Sequence, residues 1–335
     1  GCTSIWGNSS PSTPYTANKA GKGPAWSNSL FEDNAEFGYG MLLAQQAIRD
    51  GLKAKVEEVA ANENATAEVK AACQEWLDTF GVGATNGAAT DKLVAALENV
   101  DCPTCKDIVK NKDFLAKKSQ WIFGGDGWAY DIGFNGVDHV LASGKDINIM
   151  VFNTEVYSNT GGQSSKATPT GAVAQFAAGG KEVKQKDLAA IAMSYGYVYV
   201  AQISMGADMN QTIKAIAEAE AYPGPSLIIA YAPCINHGIK KGMAKAQTEE
   251  KLAVQSGYWN LFRFNPAAEG KKFSLDCKPA TVDYQEFIKG EVRYTSLALK
   301  NPARAEKLFA KAEQNAKDKY AYLEKLVKLY DDNEQ

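Results

Sequence analysis

The residues with the strongest chemical character form the turn Gly124-Gly125-Asp126-Gly127-Trp128, between an apolar run at 121–123 and a helical pattern starting near Ala129. Glycines let the backbone approach a ligand closely, and amides at a helix start face an anion. A carboxylate in that turn would repel the anion unless a cation lay between them, so Asp126 predicts Mg²⁺ bridging a diphosphate. Octahedral Mg²⁺ with one carboxylate and two phosphate oxygens has about three positions left to fill. Thr154, 28 positions beyond Asp126, offers a hydroxyl, and Val156 offers a main-chain carbonyl from the same loop. Water completes the set. Alone, a Gly-Asp-Gly turn is equally a plain strand-to-helix connection; the second oxygen-rich loop, one βα unit later, separates the two readings.

Six cysteines offer further chemistry: Cys2, Cys73, Cys102, Cys105, Cys234 and Cys277. Cys102-Pro103-Thr104-Cys105 is a C-x-x-C that suits zinc, part of a cluster or a redox dithiol. No second pair completes a four-thiolate zinc site, so the reading favours a peripheral thiol pair. Cys73 and Cys277 read as structural. His139 and His237 have no recognisable nucleophile or metal partner, and Lys240 and Lys241 read as a solvated basic face.

The elements that must carry these residues follow from periodicity. Residues 1–30, rich in Gly, Ser, Pro, Asn and Thr, predict a long ordered loop. Leu42, Leu43, Ala47, Leu52 and Val56, then Val69, Ala72 and Trp76, recur at helical spacing, and 81–89 is expected to break the pattern before a helix near 93–97. Strand-like runs at 121–123, 147–152, 198–203 and 227–231 then alternate with helical patterns. That alternation predicts an α/β fold with a doubly wound, mostly parallel sheet and helices on both faces. Ligands gather at the carboxyl edge of such sheets, where the turns after Phe123 and Phe152 fall. A charged helix over 302–330 carries Ala305, Phe309, Ala312, Tyr320, Leu323 and Val327 on one face and is expected to be peripheral. The expected organisation is an α/β domain over 1–300 with a mainly helical insertion at 41–118, then a helical extension at 301–335.

Composition narrows the function classes. With 45% apolar and 22% charged residues, 335 residues suffice for a folded core. A formal charge of −3 argues against a nucleic-acid or membrane-surface partner. No apolar run approaches the roughly 20 residues that cross a bilayer. Too few cysteines for a secreted disulfide framework predict a reducing, cytoplasmic setting. The opening Gly1-Cys2-Thr3-Ser4, with no initiator Met or apolar leader, predicts a fragment of a longer polypeptide.

The two loops resemble the thiamine-diphosphate signature, Gly-Asp-Gly followed by an Asn-rich strand end. Here the second loop is Asn153-Thr154-Glu155-Val156-Tyr157-Ser158-Asn159-Thr160-Gly161-Gly162, with Thr154 where the common signature has Asn. That departure, with Gln163-Ser164-Ser165-Lys166-Ala167-Thr168-Pro169-Thr170-Gly171-Ala172 after it, is similar to the pyruvate:ferredoxin (flavodoxin) oxidoreductases. The segments Gly1-Cys2-Thr3-Ser4-Ile5-Trp6-Gly7, Gly21 to Asn34, and Tyr231-Ala232-Pro233-Cys234-Ile235-Asn236-His237-Gly238 resemble the same family.

The resemblance implies thiamine diphosphate and Mg²⁺ held by Asp126, Thr154 and Val156, with Gly125, Gly127, Trp128, Glu155, Tyr157, Ser158 and Asn159 around the cofactor. It implies that Cys2 and Cys234 bind a [4Fe-4S] cluster whose other two ligands lie upstream. Asn159 would contact the substrate near its reactive carbon, and Phe31 would line the same pocket. The implied reaction converts pyruvate and coenzyme A to acetyl-CoA and CO₂, passing electrons through the cluster to ferredoxin or flavodoxin. The family is homodimeric, and its catalytic Glu and pyruvate-gripping residues belong to other domains of the polypeptide, so the fragment is expected to be inactive alone. The alternatives are a thiamine-dependent decarboxylase or synthase without a cluster, an oxidoreductase for another 2-oxo acid, and a non-enzymatic binding module.

Overall fold

The computed structural model describes residues 17–19, 21, 23, 27, 29 and 31–331, the side chain of Phe31 excepted. Cys2, the Phe31 side chain and most of the expected N-terminal loop therefore lie outside the described residues. The backbone divides into two compact units, one of residues up to Phe37 and from Trp121 onward, the other of Gly38–Gln120.

The first unit is built on β1 (Trp121–Gly125), β2 (Asn148–Asn153), β3 (Tyr199–Ile203) and β4 (Ser226–Tyr231). These pair in the order β1-β2-β4-β3, all parallel. Strands buried on both faces lose the apolar/polar alternation and read as continuous apolar runs. Met150, Tyr199, Ala201, Ile203 and Ile228 form one packed cluster with Ala215 and Ala219 of the helix Met209–Ala221. Residues of the opposite parity, Ile149, Val151, Val200, Leu227 and Ile229, are also buried. Two three-residue strands absent from the sequence reading, β5 (Phe262–Phe264) and β6 (Phe273–Leu275), extend the sheet antiparallel beyond β3.

The helix Pro302–Leu329 starts with Asn301 accepting from the Arg304 amide at 3.2 Å and Pro302 in its first turn, an ordinary helix start. Its buried face comprises Ala305, Leu308, Phe309, Ala312, Leu323 and Leu326. Phe309 meets Tyr294 edge to face at 5.8 Å. It is thus built into the sheet unit rather than peripheral to it.

The second unit is helical, with Leu52, Val56, Val69, Cys73, Trp76, Leu93, Leu97, Cys105, Ile108 and Leu115 in one core. The expected break at 81–89 is corrected: a helix runs over Gly83–Leu97, straight through Gly87. Glycine costs about 1 kcal/mol in a helix interior, but inward polar bonds offset it. Trp76 Nε1 donates to Thr90 Oγ1 at 3.2 Å, and Asn86 Oδ1 accepts from the Lys117 amide at 2.7 Å and from Arg49 at 3.1 Å.

Candidate cofactor site

Register brings the chemistry together. Gly125 pairs with Phe152, and Asn153 with Tyr231, so β1, β2 and β4 deliver their following loops side by side at the carboxyl edge. These loops line a cleft of about 270 Å³. Gly125, Asp126, Gly127 and Trp128 come from the first, Thr154, Val156, Tyr157, Ser158 and Asn159 from the second, and Cys234 from the third.

Asp126 is fully buried. Its Oδ1 accepts from the Thr154 amide at 3.1 Å and the Thr154 hydroxyl at 2.8 Å, and its Oδ2 accepts from Ser165 Oγ at 2.5 Å. Thr154 Oγ1 also stands 3.1 Å from the Val156 carbonyl oxygen. A hydroxyl has one proton and cannot donate to both acceptors at once. Neighbouring oxygens of an octahedral Mg²⁺ site lie about 2.9 Å apart, from metal–oxygen distances of roughly 2.0–2.1 Å. The two observed edges match that spacing, so the donor set fits the ion. Burial pushes the Asp126 carboxyl up to about 7, against the pull of the Ser165 and Thr154 hydrogen bonds. A cation is what would keep the charged form there.

The first loop is shaped for close approach. Residues Gly127–Ile132 form a π-helical turn, closed where the Gly133 amide donates to the Trp128 carbonyl at 2.8 Å; such turns are rare and recur at functional sites. A Cβ on residue 127 would sit 2.5 Å from the Tyr157 ring. Only glycine lets the two loops meet so closely. In the second loop, Gly162 adopts φ 82°, where a Cβ would also reach Asn236 at 2.8 Å.

Glu155, expected among the cofactor-binding residues, points away from the cleft. Its backbone is left-handed at φ 61°, a conformation that costs a non-glycine residue roughly 1–2 kcal/mol. The twist sends its fully buried carboxylate to Arg293 Nη2 at 2.7 Å, the Tyr258 hydroxyl at 2.6 Å and Gln185 Nε2 at 3.1 Å. Arg293 Nε also donates to Glu291 at 2.7 Å, and burial pushes the Glu291 carboxyl up to about 7 despite that partner. The loop is therefore gripped from behind by residues that nothing in its own sequence announces.

His237 is likewise a fastening. Its ring is fully buried, with Nε2 2.7 Å from the Thr154 carbonyl oxygen and Nδ1 3.5 Å from the Cys234 amide. A carbonyl only accepts, so Nε2 carries the proton and Nδ1 accepts. Burial, reinforced by Arg293, drives the imidazole well below its ordinary pKa, so it stays neutral although Glu291 lies 3.7 Å away. The ring ties the third loop to the second. There Cys234 places its sulfur at the cleft, 2.8 Å from Ser158 Oγ. Among the described residues it is the one cysteine lining the cleft; a four-thiolate cluster needs further ligands from elsewhere.

Sequence reasoning missed Ser165, although it lay within the quoted family motif. It missed Arg293, Tyr258 and Glu291 because 138 positions separate Arg293 from Glu155. Asn159 is exposed at the cleft mouth.

Residues 109–230 match the family described as thiamine pyrophosphate enzyme, C-terminal TPP binding domain. The chain is 53% identical over 332 residues to the pyruvate-flavodoxin oxidoreductase of Klebsiella pneumoniae, covering 98% of this chain and 28% of that protein. It is 55% identical over 337 residues to the pyruvate:ferredoxin oxidoreductase of Moorella thermoacetica, with the same coverages. The mitochondrial pyruvate dehydrogenase [NADP(+)] of Euglena gracilis is 47% identical over 324 residues, 94% of this chain and 18% of that protein. The chain thus spans less than a third of each of these relatives. No helix among the described residues is long and apolar enough to cross a membrane.

Proposed function

We propose, from a chain that is a relative of one portion of the pyruvate:ferredoxin and pyruvate-flavodoxin oxidoreductases, that it supplies the half of an active site that holds Mg²⁺ and the diphosphate of thiamine diphosphate. The observation that carries this reading is the buried Asp126 carboxylate with the Thr154 hydroxyl 2.8 Å away and the Val156 carbonyl oxygen 3.1 Å beyond that hydroxyl, an all-oxygen donor set of the kind Mg²⁺ takes. Bound thiamine supplies the nucleophilic carbon and electron sink that decarboxylation of a 2-oxo acid requires. Asp126 and the Thr154 and Val156 oxygens would hold the metal, and Trp128 and Tyr157, which line the cleft, would flank the diphosphate. Asn159 would present an amide donor where negative charge develops on substrate oxygen; the family resemblance assigns Phe31, whose side chain lies outside the described residues, to the same pocket.

In the whole polypeptide the reaction is oxidation of pyruvate with coenzyme A to acetyl-CoA and CO₂. A [4Fe-4S] cluster, for which Cys2 and Cys234 would supply two ligands, would provide the path for the two electrons to ferredoxin or flavodoxin. The other domains bring the remaining cluster ligands, the catalytic Glu and the pyruvate-gripping side chains, in a homodimer. The position of the Cys234 sulfur at the cleft favours this redox reading over a cluster-free decarboxylase. Calorimetry on the full-length protein tests the metal clamp: D126A is expected to lose Mg²⁺-dependent thiamine diphosphate binding, and unchanged affinity would overturn the assignment. Pyruvate-dependent, coenzyme A-requiring dye reduction by a brown protein is expected; a colourless protein that decarboxylates would show the cluster-free alternative.

A further inference from the structure

The helical unit carries a second reactive group that the cofactor site does not use. Cys102 is the N-cap of the helix Pro103–Lys110, and its sulfur accepts from the Cys105 amide at 3.2 Å. Cys102 is half-buried, whereas Cys105 is 2% exposed and packs in the core with Cys73, Ile108 and Leu115. Helical geometry, with 3.6 residues per turn and a 1.5 Å rise, sets Cα atoms three residues apart at about 5 Å. That lies inside the window of about 4.4–6.8 Å that a disulfide accepts.

Neither cysteine is demanded by the fold. Ser, Thr, Asp and Asn are the favoured N-caps, and any small apolar residue fills a site like that of Cys105. A metal does not explain the pair either: among the described residues no group of three or more His, Cys, Asp or Glu side chains is placed to hold one. What the arrangement does provide is an accessible sulfur facing backbone amides and a buried sulfur behind it, the division of labour of an attacking and a resolving thiol. Electrostatics run the same way. The Cys105 thiol, with the Cys105 and Thr104 amides, holds Cys102 below the ordinary thiol range against burial and Glu58, and burial next to Cys102 pushes Cys105 up to about 12.

We propose that Cys102 and Cys105 form a redox-active dithiol that a low-molecular-weight disulfide oxidises reversibly to an intramolecular bridge. The Cys102 thiolate attacks the small disulfide, forming a mixed disulfide and expelling one thiolate. Cys105 gives up its proton and attacks the Cys102 sulfur, expelling the second thiolate. Those two thiolates take up the protons that the cysteines release. Two protein thiols are oxidised, and one small disulfide is reduced to two thiols.

The test uses the full-length polypeptide, held without oxygen in mixtures of reduced and oxidised glutathione, alkylated and cut with trypsin. Residues 93–106 form one tryptic peptide containing both cysteines and no other, and Cys73 falls in the separate peptide 71–92. The expected result is peptide 93–106 lighter by two hydrogens and refractory to alkylation, restored by dithiothreitol. C105S is expected to accumulate a glutathione adduct on Cys102. C102S, which retains a capping hydroxyl, is expected to form neither bridge nor adduct. The proposal is overturned if peptide 93–106 stays fully alkylated in excess oxidised glutathione while circular dichroism shows the native helix content. An adduct on Cys105 in C102S, or a bridge from Cys73 to Cys105 in the native sequence, would also overturn it.

Discussion

Thr154, Glu155 and Val156 are consecutive, yet they face two environments with opposite requirements. On the cleft side, the Thr154 hydroxyl lies 2.8 Å from Asp126 Oδ1 and 3.1 Å from the Val156 carbonyl oxygen. On the buried side, Glu155 has its carboxylate committed to Arg293, Tyr258 and Gln185. Each carboxylate accepts three hydrogen bonds, but those to Asp126 come from neutral donors, which leaves a place for a cation, whereas Glu155 already has Arg293 as its counter-charge. The metal loop is a compromise between readiness in front and rigidity behind, and each side can be broken separately.

The largest expected effect is on the front. Loss of an outer hydrogen-bonding partner of a metal ligand costs roughly 10–100-fold in affinity, so D126A, which removes the ligand itself, is expected to abolish measurable Mg²⁺-dependent cofactor binding in calorimetry. Its unfolding free energy without metal should change far less than that of the next variant. R293A strands Glu155 and Glu291 without their cation, and breaking a buried ion pair costs about 3–5 kcal/mol. Denaturant unfolding of the metal-free protein should register that loss. If R293A proved neutral, the back of the loop would not be what holds it.

Ser165 lies between these extremes. S165A removes the 2.5 Å bond to Asp126 Oδ2, and a cofactor affinity about 10-fold weaker is expected, with unfolding little changed. A further effect is graded by pH and needs no substitution. Asp126 and Glu291 are pushed up to about 7 from ordinary values of 3.8 and 4.5. Without metal, the folded chain therefore binds more protons than the unfolded one between those limits. The stability these groups confer is full at the acid end and lost as pH rises toward 7. Metal needs the charged Asp126, so cofactor affinity should fall by up to about tenfold per unit as pH drops below 7. Calorimetry across about pH 5 to 8 reads both trends; an affinity flat across that range would remove Asp126 from the metal.

The legibility of the molecule follows the same division. The four parallel strands and the Asp126 and Thr154 loops were visible because each is a contiguous run whose period or residue types carry the signal. β5 and β6 were not, since three residues are too few to show a period. The helix Gly83–Leu97 was hidden by its glycines and rescued by tertiary bonds to Asn86 and Thr90. Arg293, Tyr258 and His237 acquire meaning only from partners 138, 103 and 83 positions away, and a single sequence holds no trace of such pairings. The Glu155 carboxylate was legible as chemistry and misplaced in space, because the sign of one φ decides which side it faces.

That separation also orders events in time. Ribosomes add about 5–20 residues per second, so the 138 positions between Glu155 and Arg293 take about 7 to 28 seconds to synthesise. Until then the nascent Thr154 loop has no counter-charge behind it and no reason to hold its left-handed bend. The grip of Arg293 on the loop is thus the last part of its support to be made, well after the metal-binding residues themselves.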